Sequence, residues 1–307
     1  MGQNLAKRLL QALVALLGVS LLLFVLLRVV PGNPVATMMG EKGDPETIER
    51  MTEELGLNKP LLVQFFDYLV GALRGDFGIS ISMGKPVSEL IGEAFLNTLQ
   101  LAVFSALFSW VMGISCGVLA AVHRNGVIDR LFMGISLLGI SMPVFMVAML
   151  LQYVIARYLH WLPISGVCDW TGFILPSIAL GWNSAGSISR LVRSSLIEAL
   201  GEDYIDTARA KGRSQMAILW VHALRNAMLP VVTMMAVQFS ALLSGAVITE
   251  TIFSINGIGR LAMQAISGRD IALLQGTALL STFIVVFGNL LADCLYQVLD
   301  PRVRKAV

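Results

Sequence analysis

Six stretches of the chain run without Asp, Glu, Lys or Arg for about the length of a membrane helix: 9–27, 97–122, 131–156, 170–189, 226–249 and 271–292. Crossing the hydrocarbon takes roughly 20 mostly apolar residues. Charge closes each stretch: Arg28 after the first, His123 and Arg124 after the second, then Arg130 and Arg157, Asp169 and Arg190, Arg225 and Glu250, and Asp270 and Asp293 around the others. The pattern predicts an all-α, polytopic membrane protein with six transmembrane helices. The fourth stretch is the most polar, with Gly172, Pro176, Gly181, Asn183 and Gly186. Such residues are tolerated where neighbouring helices satisfy the freed backbone groups, so this helix is expected in the interior or beside a water-filled cavity. Met142-Pro143 predicts a kink in the third. The first stretch is longer than a signal-peptide core of about 7–15 residues, and Pro31-Gly32-Asn33-Pro34 follows it instead of an A-x-A site. It reads as an uncleaved first helix ending at the membrane surface.

Two hydrophilic segments interrupt the apolar pattern. In 31–96, Asp44-Pro45-Glu46 predicts a helix start, with Asp at the cap and Pro in the first turn. That helix runs to about Leu55 and stops at Gly56. Pro60 opens a second helix, on which Leu61, Leu62, Phe65, Phe66, Leu69, Val70 and Leu73 form one apolar stripe. Gly75-Asp76-Phe77-Gly78 reads as a turn. The segment is either a cap over an extracellular mouth or a contact for a partner protein. In 190–228, residues 202–212 predict a helix whose small residues Thr207, Ala208 and Ala210 leave room for close packing, with Gly212 ending it where left-handed backbone is cheap. Residues 213–224 predict a second short helix, and Pro230 marks the entry to the fifth span. A charged helix–Gly–helix protrusion is a docking shape, although an ordinary solvated connection has the same pattern.

Composition agrees with membrane residence. Of 307 residues, 56% are hydrophobic and 14% charged, against roughly 25% charged in a soluble domain. So few charges cannot cover a soluble protein of this size, which excludes an ordinary cytosolic enzyme and a disordered chain. The net charge of +2 with scattered Lys and Arg offers no nucleic-acid surface. Cys116, Cys168 and Cys294 are odd in number and widely spaced, and His123, His160 and His222 are out of ligand reach of one another along a helix. Neither a metal site nor a catalytic residue is expected. With both termini inside, inside segments hold thirteen Lys and Arg and outside segments eight, five of those eight in the long 31–96 loop. The positive-inside rule therefore puts both termini in the cytoplasm. The organisation expected is a first segment 1–30 with the first span, an extracytoplasmic helical segment 31–96, and a core 97–307 carrying a cytoplasmic region at about 190–228.

Tyr204…Ala208-Arg209-Ala210-Lys211-Gly212, followed by His222-Ala223-Leu224-Arg225-Asn226-Ala227-Met228-Leu229-Pro230, resembles the cytoplasmic coupling region of bacterial ABC importer permeases. It is similar to the branch that carries dipeptides, oligopeptides, glutathione and nickel chelates, and within it to the first-permease type. Leu55-Gly56-Leu57-Asn58-Lys59-Pro60, Gly75-Asp76-Phe77-Gly78-Ile79-Ser80, Pro86-Val87, Ser141-Met142-Pro143, Trp161-Leu162-Pro163, Glu250-Thr251-Ile252-Phe253, Asn256-Gly257-Ile258-Gly259-Arg260 and Leu299-Asp300-Pro301-Arg302 follow that branch in order along nearly the whole chain. Asp206-Thr207-Ala208…Gly212 fits the general Glu-Ala-Ala…Gly frame with two substitutions. The distance from Gly212 to Pro230 is longer than in the general motif, and Asn256 stands where many relatives place Pro.

The resemblance implies the fold of a type I ABC importer permease and a division of labour. Separate ATPase subunits would hold ATP and Mg and hydrolyse the nucleotide, while this chain binds no cofactor. In accord, no G-x-x-x-x-G-K-[ST] loop occurs; Gly84-Lys85 runs into Pro86. The implied partners are a second homologous permease, two ATP-binding cassette subunits, an extracytoplasmic substrate-binding protein and the bilayer of the bacterial inner membrane. Tyr204, Asp206, Thr207, Ala208, Arg209, Ala210, Lys211 and Gly212 would dock on an ATPase. Small peptides are the expected cargo, with glutathione or a nickel or other metal chelate as alternatives.

Polar residues in apolar runs, Asn183, Gln238, Asn289 and Asp293, are candidates for the translocation path, with interhelical hydrogen bonding as the other reading. Glu250, Phe253 and Arg260 are candidates for an outer gate. Gly113 and Gly117 form a small-x-x-x-small pair suited to close helix contact, a clue to a second permease. An ion-driven secondary transporter is the rival of another class, but no repeat relates the two halves and ionisable residues gather at the span ends. Gly113-Ile114-Ser115-Cys116-Gly117 matches G-x-S-x-G, but the middle of a membrane helix denies the strand–turn–helix context that motif needs, and no intramembrane His is available as base.

Overall fold

Runs of apolar residues punctuated by Gly and Pro fold into long helices with locally specified ends. The computed structural model describes residues 2–29, 44–54, 56, 58–167 and 169–299. The expectations at Pro31-Gly32-Asn33-Pro34, Leu55, Leu57, Cys168 and Asp300-Pro301-Arg302, and those on the side chains of Asp293 and Cys294, lie outside what is described. In chain order the helices are α1 (Gly2–Val29), α2 (Pro45–Glu54), α3 (Leu61–Leu73), α4 (Val87–Val122), α5 (Val127–Ser141), α6 (Val144–Tyr158), α7 (Ile174–Leu200), α8 (Asp203–Ala210), α9 (Gln215–Leu243), α10 (Val247–Ile252), α11 (Ile258–Ser267) and α12 (Ile271–Leu299). The chain divides into two units, each described by itself: Met1–Thr98 with Ser244–Val247 and Asn256–Phe287, and Leu99–Leu243 with Ile248–Ile255 and Gly288–Val307.

In the first unit, α2 begins at Pro45 as the sequence predicts, and Gly56 (φ +62°) and Gly75 (φ +76°) take the left-handed backbone that lets the chain turn. The apolar stripe of α3 stays largely exposed at Leu61, Leu62, Phe66, Val70 and Leu73, while Phe65 meets Phe24 of α1 edge-on at 5.3 Å. One departure from an all-helical chain is a short hairpin, β1 (Ile79–Ser80) with β2 (Lys85–Pro86), which the sequence reading missed. Two strand residues on each side carry no periodicity to read. Buried Val87, Leu90, Ile91 and Ala94 of α4 pack with Ile258, Leu261 and Ala265 of α11 and Leu273 of α12.

Asp270 fastens the hairpin to this core. Its fully buried carboxylate accepts from Ser80 Oγ (2.7 Å), Ser82 Oγ (2.8 Å) and Ser82 N (3.0 Å) through one oxygen, and from Leu273 N (3.1 Å) through the other. A buried carboxylate is tolerated when its lone pairs meet donors in this way.

The second unit is built around α7, the polar fourth candidate span. It packs against α5, α6 and α9, and its buried face is dominated by small and branched residues, among them Ser177, Ala179, Gly181, Gly186, Ile188, Ser189 and Val192. Its expected interior place is therefore where it lies. Gly113 and Gly117 of α4 meet it closely: a Cβ on Gly117 would sit 2.6 Å from Ser189 O, and one on Gly113 would sit 2.8 Å from Ile188 Cβ. The small-residue pair is thus used within this chain, which corrects its reading as a clue to a second permease. The G-x-S-x-G match has the same explanation.

Three further expectations change. The third candidate span is not one kinked helix, because α5 and α6 meet at 106° across Met142-Pro143. Pro143 lacks an N–H and drives Met142 into the extended region (φ −81°, ψ 128°), so α5 ends rather than bends. The helix expected at 213–224 is continuous with span five in α9, through a π turn at Ile218–Ala223, and Pro230 lies inside that helix rather than at its entry. Span five closes at Leu243, and Val247–Ile252 forms α10 separately. Among the described residues, α4, α9 and α12 through Leu290 are each long and apolar enough to cross a membrane.

Candidate functional site

The helix predicted at 202–212 forms as α8, and its two faces differ. Ile205 and Ala208 are buried and join a core with Val192, Leu196 and Ala199 of α7 and Ile218, Ala223 and Ala227 of α9. Burying one Ile side chain stabilises the docked helix by roughly 1.5–3 kcal/mol. Tyr204, Asp206, Thr207, Arg209, Ala210, Lys211 and Gly212 are exposed. Ala208 was expected to receive a partner but packs into its own chain. At 8% exposure between two helices this alanine presents little of its surface.

The end of α8 is fixed by backbone chemistry. Arg213 N donates to Ala208 O (3.2 Å) and Gly212 N to Arg209 O (2.9 Å), with Gly212 at φ +73°. This is a Schellman cap, in which a residue without Cβ takes the left-handed position at least cost. Ser214 then starts the next helix, its Oγ accepting from Ala217 N at 3.3 Å. On the surface Arg209 donates to Asp206 at 2.9 Å, and Thr207 Oγ1 donates to Asp203 O at 3.1 Å. The result is an exposed helix, a glycine corner and a second helix start. It is held from beneath by two apolar anchors and continues without a break into the membrane helix α9.

A salt bridge absent from the sequence reading braces the same unit. Asp129 of α5 accepts from Arg193 Nε (2.6 Å) and Nη2 (2.7 Å) and from Asn125 N (2.8 Å). The Arg193 guanidinium holds the Asp129 carboxyl below the usual carboxylate range, and the Asn125 N–H adds to it. The partners are 64 residues apart, so no local pattern announces them.

Of the path candidates, Asn183 donates to Ile140 O at 3.2 Å, tying α7 to α5 as the interhelical reading has it. Gln238 keeps a buried Oε1 without a partner among the described residues, and Asn289 is exposed. Among the gate candidates, Glu250 and Phe253 are fully buried in the second unit, where Phe253 O accepts from Gly166 N at 2.8 Å. Arg260, in the first unit, donates to Asn256 Oδ1 at 3.0 Å. Among the described residues no group of His, Cys, Asp and Glu is placed to hold a metal.

The second unit thus buries a polar helix and carries an exposed helix–glycine corner anchored in its own core. The chain matches the family described as "Binding-protein-dependent transport system inner membrane component" over residues 113–305, and that family's N-terminal component over residues 1–108. It belongs to this family, as a permease of the ABC importer kind. It is 41% identical over 298 residues to the glutathione transport system permease protein GsiC of Salmonella typhimurium (strain LT2) and to that of Escherichia coli (strain K12), covering 97% of each chain. In fold it is similar to the MetNI methionine ABC transporter (TM-score 0.55, 19% identity, covering 69% of this chain and 96% of that one). It is also similar to an amino acid ABC transporter (TM-score 0.53, 16% identity, covering 70% and 94%).

Proposed function

We propose that this permease couples to a cytoplasmic ATPase through the exposed face of α8, the Gly212 corner and the start of α9, and that its cargo is a small peptide of the glutathione class. The observation that carries the coupling is the two-sided build of α8. Ile205 and Ala208 transmit force into the core, while Tyr204, Asp206, Thr207, Arg209, Ala210 and Lys211 remain outside for a partner. ATP and Mg belong to two ATP-binding cassette subunits, and this chain holds no cofactor. A second homologous permease completes the path, an extracytoplasmic binding protein delivers the substrate, and both termini lie inside. Moving a membrane arrangement from 1:99 to 99:1 takes about 5.5 kcal/mol of differential stabilisation, which the ATPase pair supplies by gripping one arrangement better than the other.

The cargo rests on the 41% identity across 97% of the chain to permeases named for glutathione transport. Ordinary di- and oligopeptides are the second reading, because the sequence motifs belong to a branch that carries both.

The test is uptake into liposomes holding the assembled importer, with labelled glutathione against a labelled dipeptide. ATP-dependent accumulation of glutathione, with none when the permease is alone, is expected. Accumulation by the permease alone would overturn the coupling. Dipeptide uptake that excess glutathione does not compete would overturn the cargo.

A further inference from the structure

Between the start of α5 and the second half of α7 lies an open recess of about 520 Å³, lined by Asn125, Asp129, Arg130, Met133, Leu137, Arg190 and Arg193. That volume is in the range of small-molecule sites. Arg193 is neutralised by Asp129. Arg130 and Arg190 are exposed, and among the described residues neither guanidinium has a hydrogen-bond or ion-pair partner. Two uncompensated cations therefore share one rim.

Their level in the chain is informative. Arg130 is the last charge before the apolar stretch 131–156, and Arg190 the first after 170–189, so both stand at one membrane boundary. From there the wall turns apolar. Met133 and Leu137 lie three and seven residues beyond Arg130, on the same face of α5. Leu131, Ile135 and Leu138 beside them are exposed. Cations at headgroup level above an apolar strip fit a molecule with an anionic head and a hydrocarbon tail. A hydrophilic protein segment would leave backbone groups unsatisfied against such a wall.

We infer that this recess is a site for an anionic phospholipid, its phosphate held by Arg130 and Arg190 and an acyl chain laid along Met133 and Leu137. Basic pockets at helix ends select anionic headgroups by charge. The Asp129–Arg193 pair takes no lipid charge. It fixes α5 against α7 and so sets the spacing of the two free arginines. The site is independent of the cargo and of the coupling segment.

The test is native mass spectrometry on the importer complex in detergent, offered dioleoyl phosphatidylglycerol and dioleoyl phosphatidylcholine together. Wild type is expected to retain phosphatidylglycerol over phosphatidylcholine by about tenfold. The double variant Arg130→Gln, Arg190→Gln should lose that preference, and Arg157→Gln, an exposed arginine elsewhere, should keep it. Equal retention of the two lipids by wild type, or an unchanged preference in the double variant, would overturn the assignment. Full displacement of phosphatidylglycerol by millimolar inorganic phosphate would mark a plain anion site instead, and loss of a protein subunit from the double variant would mark a protein interface. Either of those outcomes also overturns it.

Discussion

Replacing Gly117 with alanine places a methyl group where α4 and α7 already touch. The new Cβ would lie 2.6 Å from Ser189 O and 2.7 Å from Val192 Cβ, against an ordinary contact distance of 3.4 Å or more, so the helices must part by about 0.8 Å. The oxygen is backbone and Val192 is fully buried, so neither neighbour can swing aside. Overpacking of this kind costs about 1–3 kcal/mol. With its three nearest neighbours all under 3.0 Å the cost lies in the upper half of that range, and alanine returns roughly 0.5–1 kcal/mol of helix preference, which leaves a net loss of about 1–2 kcal/mol. Gly134 of α5 supplies the contrast, since a Cβ there meets nothing within 4 Å. Gly134→Ala should be neutral or stabilising. Thermal unfolding in nanodiscs reads both, with Gly117→Ala lowering Tm by roughly 2–8 °C and Gly134→Ala not lowering it. An unchanged Tm for Gly117→Ala would refute the packing argument, because nothing in the geometry lets that methyl in without movement.

Further expectations follow from buried charge and from α8. Asp129→Asn leaves Arg193 without its counter-charge and should destabilise by about 2 kcal/mol, less than a fully buried pair because Arg193 is 27% exposed; denaturation of the variant against wild type measures it. Because the folded Asp129 carboxyl titrates below its unfolded value, the pair's contribution is complete above about pH 4 and is lost as pH falls through the lower folded value. Stability between pH 5 and 8 should therefore show no step from this pair. Asp270→Ala removes the acceptor of three donors in Ser80 and Ser82 and should speed amide hydrogen exchange at residues 79–87, read by mass spectrometry, while α9 is unaffected. Ala208→Leu should lower stability of the chain itself, since that side chain enters the core; a variant that unfolds like wild type would contradict the inward placement.

Much of this organisation is legible in charge spacing. Arg28, Arg124, Arg130, Arg190 and Asp270 mark the ends of apolar stretches, and Asp44-Pro45 and Gly212 mark helix ends where the structure has them. What escaped is non-local. Asp129 finds Arg193 and Asp270 finds Ser80 across 64 and 190 residues, and no periodicity carries such pairs. Met142-Pro143 was legible as an interruption but not as a 106° turn, because proline fixes the break and the packing on either side sets the angle. The helix at 202–212 was legible in its residues but not in which of them face inward. Thr207, Ala208 and Ala210 look alike in sequence, yet Ala208 alone of the three is buried.

That difference supplies the most direct measurement of the central claim. Ala210 is exposed on α8, in helical backbone that any side chain accepts, whereas at Gly212 a side chain would also meet left-handed strain. Ala210→Trp therefore adds bulk to the outer face with little cost to the chain's own fold. In the reconstituted importer, uptake per ATP hydrolysed should fall at least tenfold while the permease keeps its amount in the membrane and its Tm. Uptake per ATP equal to wild type, with tryptophan present at that position, would contradict the account.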